Sequence, residues 1–289
     1  MSADPRIADL VVIGGGPSGL ACAGAAAALG LRTVVVEGTA LGGELNTMSW
    51  VDGLVPHRDR VAGPDLSADL IEAVLDARVH VEHAQAEMLA VMDGRWSINN
   101  GSVNGAALVL ATGREYDLEA VPGAAVLHGR GVSTCSSCDG PMFKNKNVIV
   151  LGAGRDAVSK VRDLTGLAAS VAVLPRAALT RADRTLLDPI GVDVRPPASD
   201  VRLAPGDNGT IVLTDGAGVE LARCDGVFLA GSRRPRRELL SALDAEEDIA
   251  IPFRACVGDL RPGSSQTVVA AVGDGVDAAW AAMRALELA

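Results

Sequence analysis

The chain is poor in large rings. Only 2% of its 289 residues are aromatic, and it has a single Tyr. Few rings are available to cover a flat ligand or to grip a partner by stacking. Positive charge is also short: 26 Lys and Arg stand against 36 Asp and Glu, a net charge of -10. A nucleic-acid binder needs a basic face, so that class is excluded. No apolar run reaches the ~18 residues of a membrane-spanning helix. The opening "MSADPRIADL" lacks the basic-then-apolar order of a secretory signal. A soluble, cytoplasmic protein is expected. Cysteine is scarce and odd in number, at five. Cytosolic thiols stay reduced, which argues against a structural disulfide framework. Cys22, Cys224 and Cys256 each lie in an apolar pattern and read as small core residues.

What is present is apolar substance, 48% of a length that supports one large or two ordinary domains. The stretch "ADLVVIGGGPSGLACAGAAAALGLRTVVVEG" reads strand, glycine turn, Ala-rich helix, strand. Gly14, Gly16 and Gly19 fill G-x-G-x-x-G, and Glu37 ends the second strand 23 residues after Gly14. Each part has a physical task. Gly14 allows the tight turn, Gly16 lets backbone approach a pyrophosphate, and Gly19 lets helix and strand pack closely. The helix start offers free N–H groups to phosphate. Glu37 can accept from a ribose 2′-OH and would repel a 2′-phosphate, which suits FAD or NAD.

The unit repeats in "NVIVLGAGRDAVSKVRDLTGLAASVAVLPR", with Gly152, Gly154 and Ala157 in the glycine slots. Pro175 takes the place that matches Glu37, followed by Arg176 and then Arg181 and Arg184. An acid lost and arginines gained would admit a 2′-phosphate, so NADPH is expected here. Short strands with Gly and Asn turns are predicted between the two units, ending in "LVLATG". After the second unit, "GTIVLTDGAGVELARCDGVFLAG" reads as a hairpin and a buried strand. The segments "RACVGDL" and "SSQTVVAAVGDGVDAAWAAMRALEL" read as an apolar strand followed by a C-terminal helix.

Cys135 and Cys138 form a C-x-x-C pair just before the second glycine turn, with Asp139 beside them. Two thiols at this spacing can close a small disulfide ring, and a carboxyl group can shuttle the proton. Zinc needs four ligands, and no second C-x-x-C or close Cys/His group supplies them. His80 and His83 are predicted on opposite faces of a strand, so no metal is expected.

Together, "VVIGGGPSGL", "GGELNT", "LVLATG", "GRGVSTCSSCDG", "NVIVLGAG", "VFLAG" and "VGDL…SQTVVAAVGDG" resemble the low-molecular-weight thioredoxin reductases over almost the whole chain. The resemblance implies an α/β fold of two Rossmann-like, three-layer ββα dinucleotide-binding domains, the second inserted in the first. The FAD domain would be residues 1–115 and 246–289, and a pyridine-nucleotide-like domain carrying the dithiol would be residues 116–245. It also implies a homodimer whose domains rotate, so that the dithiol and NADPH take turns at one flavin. By motif position, Cys138 would face the flavin, Cys135 would attack the partner disulfide and Asp139 would be the acid/base. FAD would be held by Gly14, Gly16, Pro17, Ser18, Gly19 and Glu37. Gly42, Gly43, Leu45, Asn46, Thr112 and Gly113 would join them. Gly258 and Asp259 would hold the ribityl chain, and Gln266, Thr267 and Val268 would contact the ring. NADPH would fall to Gly152, Gly154, Ala157, Arg176 and Arg181.

Some residues depart from the family pattern. Pro175-Arg176-Ala177 stands for His-Arg-Arg, Ser159-Lys160 for acidic residues, and Pro141-Met142 for an aromatic pair that helps dock thioredoxin. The leading expectation is an FAD-dependent reductase passing electrons from NADPH through Cys135 and Cys138 to a thioredoxin-like protein or small disulfide. The alternatives are a dithiol oxidase using O2, a reductase fed by another donor such as ferredoxin, and a flavin-bound redox sensor.

Overall fold

The computed structural model describes residues 7–51, 54, 61–243 and 252–287. The chain divides into two compact units: Met1–Glu115 with Pro235–Ala289, and Tyr116–Arg234.

The first unit opens with β1 (Ile7–Ile13), whose residues Leu10 to Ile13 are buried without interruption. Such a run marks a parallel strand covered on both faces. It leads into α1 (Pro17–Ala28), β2 (Thr33–Val36), α2 (Gly63–Asp76), β3 (His80–Glu82), β4 (Leu89–Met92), β5 (Arg95–Ile98) and β6 (Val103–Leu110). β2 and β6 flank β1, both parallel to it. β3 extends the sheet beyond β2, and the antiparallel β4–β5 hairpin joins the start of β6. The chain then leaves along β7 (Arg114–Tyr116).

The second unit contains α3 (Ala124–Leu127), β8 (Val132–Ser133), α4 (Ser136–Asp139), β9 (Asn147–Leu151), α5 (Gly154–Leu164), β10 (Ser170–Leu174), α6 (Arg181–Leu187) and β11 (Asp193–Val194). A three-stranded antiparallel sheet follows, β12 (Arg202–Pro205), β13 (Ile211–Thr214) and β14 (Glu220–Cys224). β15 (Gly226–Leu229) then completes a parallel sheet of order β11-β10-β9-β15-β8. The strand order reverses beside β9: β10 lies on one side and β15 on the other. The crevice outside the C-terminal ends of such strands is where open α/β sheets take ligands.

The chain returns along β16 (Arg233–Pro235) to α7 (Glu238–Leu243), β17 (Arg254–Cys256) and α8 (Val268–Glu287). β17 pairs in parallel with the end of β6. The crossing thus lies at Arg234/Pro235, whereas the boundary expected at 245/246 falls outside the described residues. Leu239 and Leu240 already pack on the core of the first unit, which draws the return earlier.

Small residues set the helix layer of the first unit. Ala23 and Ala26 of α1 share a buried cluster with Ala278, Ala279 and Ala282 of α8. A Cβ on Gly275 would run into the Ser18 carbonyl oxygen, so α8 needs glycine there to reach α1. Cys22 and Cys224 are buried, and burial pushes both thiols up to about 12. Cys256 is half-buried against the β-hairpin side of the core. All three are the packing residues expected. No described helix is long and apolar enough to cross a membrane.

Candidate active site

The first glycine turn is built by close approach. Gly14 has φ +102°, and a Cβ there would strike the Ala111 carbonyl oxygen. A Cβ on Gly19 would strike the Gly14 carbonyl oxygen. Gly16, by contrast, faces open space, and the Cβ position of Gly43 lies 3.0 Å from its Cα. α1 starts at Pro17 with no side-chain cap on its free N–H groups. Glu37 closes the turn: its Oε2 accepts from Gly15 N–H at 2.7 Å and its Oε1 from Thr39 N–H at 2.7 Å.

Other loops of the same unit converge on this turn. The loop at Gly42 has φ +93°, and Asn46 Nδ2 donates to the Leu41 carbonyl at 2.7 Å. Buried Leu45 shares a small cluster with Val268, the first residue of α8. Thr267 Oγ1 accepts from Ala270 N–H at 3.3 Å to start that helix, and Gln266 before it has φ +55°. A Cβ on Gly258 would lie 2.6 Å from Ser18 Oγ, which sets Gly258 against the first turn of α1. Asp259 next to it accepts from Ser264 Oγ at 3.0 Å. Thr112 Oγ1 donates to the Arg236 carbonyl at 2.8 Å, and Gly113 has φ +65°. A glycine-lined cradle beside a free helix start, closed by the Glu37 carboxylate, fits FAD.

In the second unit, Cys135 and Cys138 are joined as a disulfide. Cys135, half-buried, caps the start of the short helix α4, and Cys138, exposed, lies within that helix. Cys135 Sγ accepts from Cys138 N–H at 3.1 Å and lies 3.3 Å from Ser137 Oγ. These groups would favour negative charge on that sulfur once the disulfide opens. Asp139 is held by a residue that sequence reading missed. Buried Ser133 donates from Oγ to Asp139 Oδ2 at 2.6 Å and accepts from Cys135 N–H at 3.0 Å. Ser136 Oγ donates to Asp163 Oδ2 on α5 at 2.6 Å, tying the dithiol turn to the helix behind it. The density of serines in "STCSSCDG" was the available signal.

The second glycine turn keeps its backbone form. Gly152 has φ +136°, a Cβ there would strike the Ala230 carbonyl oxygen, and Ala157 is fully buried. Its surroundings differ from the first. Asp156 in the first turn of α5 accepts from Lys160 Nζ at 2.7 Å, Tyr116 OH at 3.0 Å and Gly231 N–H at 2.9 Å. Arg233 stacks 4.4 Å from the Tyr116 ring centre and lies 3.5 Å from Asp156. Burial pushes the Asp156 carboxyl up, but the Lys160 and Arg233 charges outweigh it and hold the group below the usual range. Burial pulls the Lys160 ammonium down, and the Asp156 carboxylate outweighs that, so it lies above its usual value. Sequence reading missed Tyr116, Asp156 and Arg233, and noted Lys160 only as a departure.

Arg176 is not displayed to a ligand. Its two terminal nitrogens donate to Ser232 Oγ at 3.0 Å and the Ala120 carbonyl at 2.9 Å, and its Nε is buried behind them. Arg181 is exposed at the start of α6. Among the described residues no cluster of His, Cys, Asp and Glu could hold a metal.

The sequence model of the pyridine nucleotide-disulphide oxidoreductase family matches residues 8–285. The chain is 30% identical to a thioredoxin reductase of Listeria monocytogenes, over 95% of this chain and 92% of that protein. It is 29% identical to a thioredoxin reductase of Mycolicibacterium smegmatis, over 98% of each. A crystal structure of Lactococcus lactis thioredoxin reductase superposes with a TM-score of 0.87 at 23% identity, covering 98% of this chain and all of that one. The chain belongs to the pyridine nucleotide-disulphide oxidoreductase family, as a flavoprotein disulfide oxidoreductase of the thioredoxin reductase kind.

Proposed function

We propose that this protein exchanges an electron pair between FAD and a thiol–disulfide partner through Cys135 and Cys138. The observation that carries the reading is the Cys135–Cys138 disulfide with Asp139 fixed beside it by Ser133. The bound flavin, once reduced, would supply the electron pair that opens this disulfide. Gly14, Gly16, Gly19, Gly42 and Gly43 would let backbone approach it, Glu37 would take its ribose hydroxyls, and Asp259 its polar chain. Gln266, Thr267 and Val268 stand at the helix start for its ring.

The dithiol chemistry then follows from the chain's own groups. Cys135, as thiolate, attacks one sulfur of the partner disulfide, and the other partner sulfur leaves and takes a proton. Cys138 attacks the mixed disulfide, which re-forms the Cys135–Cys138 bond and releases the partner dithiol. Asp139 accepts the Cys138 proton and hands it to the leaving thiolate. A thioredoxin-like protein or a small disulfide fits this exchange, with the chain acting as a cytoplasmic homodimer.

The test is trapping. Cys138→Ser, chemically reduced and mixed with oxidised thioredoxin, should accumulate a mixed disulfide at Cys135, read by mass. Cys135→Ser should accumulate none. The reverse pattern would exchange the two roles, and no adduct with either variant would refute the reading.

A further inference from the structure

The two glycine turns allow an internal comparison. In each, the first glycine sits against the carbonyl of the residue that follows the neighbouring strand, Ala111 for Gly14 and Ala230 for Gly152. Counting from those glycines, Ser18 in the first fold corresponds to Asp156 in the second. Likewise Thr112 corresponds to Gly231, each following its alanine. A dinucleotide pyrophosphate enters such folds between these two loops, at the helix start and the strand-order reversal. In the first fold the position holds a hydroxyl. In the second it holds a carboxylate that crosses the crevice, because Asp156 Oδ2 accepts from Gly231 N–H on the opposite loop.

That carboxylate is fixed from its other sides. Lys160, only 4% exposed, and Tyr116 bond to it, and Arg233 covers the phenol. A pyrophosphate would have to displace a paired carboxylate from cations that already hold it, and would meet an anion in a poorly solvated place. The 2′-phosphate end is altered too. Arg176 is spent on Ser232 and Ala120, and Pro175 and Ala177 flank it.

We infer that the second glycine-turn fold is closed to pyridine dinucleotides, NADPH included, with the Asp156 carboxylate standing in for the pyrophosphate. The unit then serves as a carrier of the dithiol, and the family's NADPH does not fit its residues. The inference rests on the flavin–dithiol reading for what the rest of the unit does.

The test uses the FAD-loaded full chain. Isothermal titration with NADPH, NADH and ADP-ribose should give no binding up to millimolar ligand in the wild type. Anaerobic NADPH should not bleach the flavin absorbance. Asp156→Ser, which copies the first fold, leaves Lys160 and Arg233 facing the crevice and should bind ADP-ribose at least 10-fold more tightly than wild type. If Asp156→Ser is as silent as wild type, Asp156 is not the closing group and the inference falls. Wild-type binding of NADPH below about 100 μM, weakened by Arg176→Ala, would overturn it as well. Hydrogen exchange on the wild type keeps the test sound if the variant does not fold. Protection of the 152–156 and 231–233 loops by NADPH would refute closure, and unchanged exchange supports it. Trapping with Cys138→Ser runs beside these measurements. Trapping without nucleotide binding upholds both readings, whereas neither trapping nor binding would remove the dithiol function and leave the closure standing.

Discussion

Lys160→Met removes the ammonium from the buried cluster while keeping most of the apolar stem. In the native protein it lies 2.7 Å from Asp156, and both side chains are largely buried. Removing one partner of such a pair costs about 3–5 kcal/mol, because a charge stays buried without its counterpart. Arg233 and Gly231 N–H remain near the carboxylate, which places the expected loss near ~3 kcal/mol at pH 7. The pH dependence distinguishes this from simple loss of packing. In the native protein the Asp156 carboxyl lies below its usual value, so it stabilises above about pH 4 and loses that contribution only on further acidification. Without Lys160, burial dominates and raises the folded value. The ionised group then destabilises at neutral pH, and acidification relieves it. The gap between variant and wild type should narrow to about 1–2 kcal/mol at pH 4.5, where a protonated Asp156 needs only neutral hydrogen bonds. Cys224 offers a reporter confined to this unit, since its thiol is buried at the end of β14. Urea titration with pulsed alkylation, read by mass at Cys224, gives the unfolding curve at each pH. A loss under 1 kcal/mol at pH 7, or an equal loss at both pH values, would refute the coupled-pair account.

Two further outcomes follow from the geometry. Ser133→Ala removes the hydroxyl that aims Asp139 and should slow dithiol exchange with oxidised thioredoxin about 10-fold, equivalent to ~1.4 kcal/mol. FAD content should not change, and Ser133→Thr should restore most of the rate; an unaltered rate in Ser133→Ala would remove its positioning role. Gly19→Ala forces a Cβ into the Gly14 carbonyl and should cost about 1–3 kcal/mol and most bound FAD, measured by flavin absorbance after gel filtration. Full flavin retention would show that the turn tolerates the shift.

The parts legible in the sequence were those set by local sterics. A strand, a glycine turn and a helix that must pack within a few residues announce themselves at Gly14–Gly19 and again at Gly152–Ala157. The dithiol is legible for the same reason, since its partners lie three residues apart. The polar cluster was hidden because Tyr116, Asp156 and Arg233 meet only after β7, α5 and β16 come together. Of that cluster only the Asp156–Lys160 pair, four apart on one helix face, carried a local signal. The bonds of Arg176 to Ala120 and Ser232 had no local signal, because each partner is 56 residues away in sequence. The Gly258–Asp259 loop lies beside the first turn, where Gly258 approaches Ser18. Its contact with Ser18 is long-range and has no sequence pattern of its own.

The central claim is that one flavin and one disulfide exchange electrons within this chain. Anaerobic reductive titration with dithionite tests it directly, with flavin absorbance and free thiols read together. The wild type should take up two electron pairs per chain before full reduction, one at FAD and one at Cys135–Cys138, with both thiols becoming titratable. Cys138→Ser should take up one pair. Full flavin reduction after a single pair in the wild type, with the Cys135–Cys138 disulfide still closed, would contradict the account.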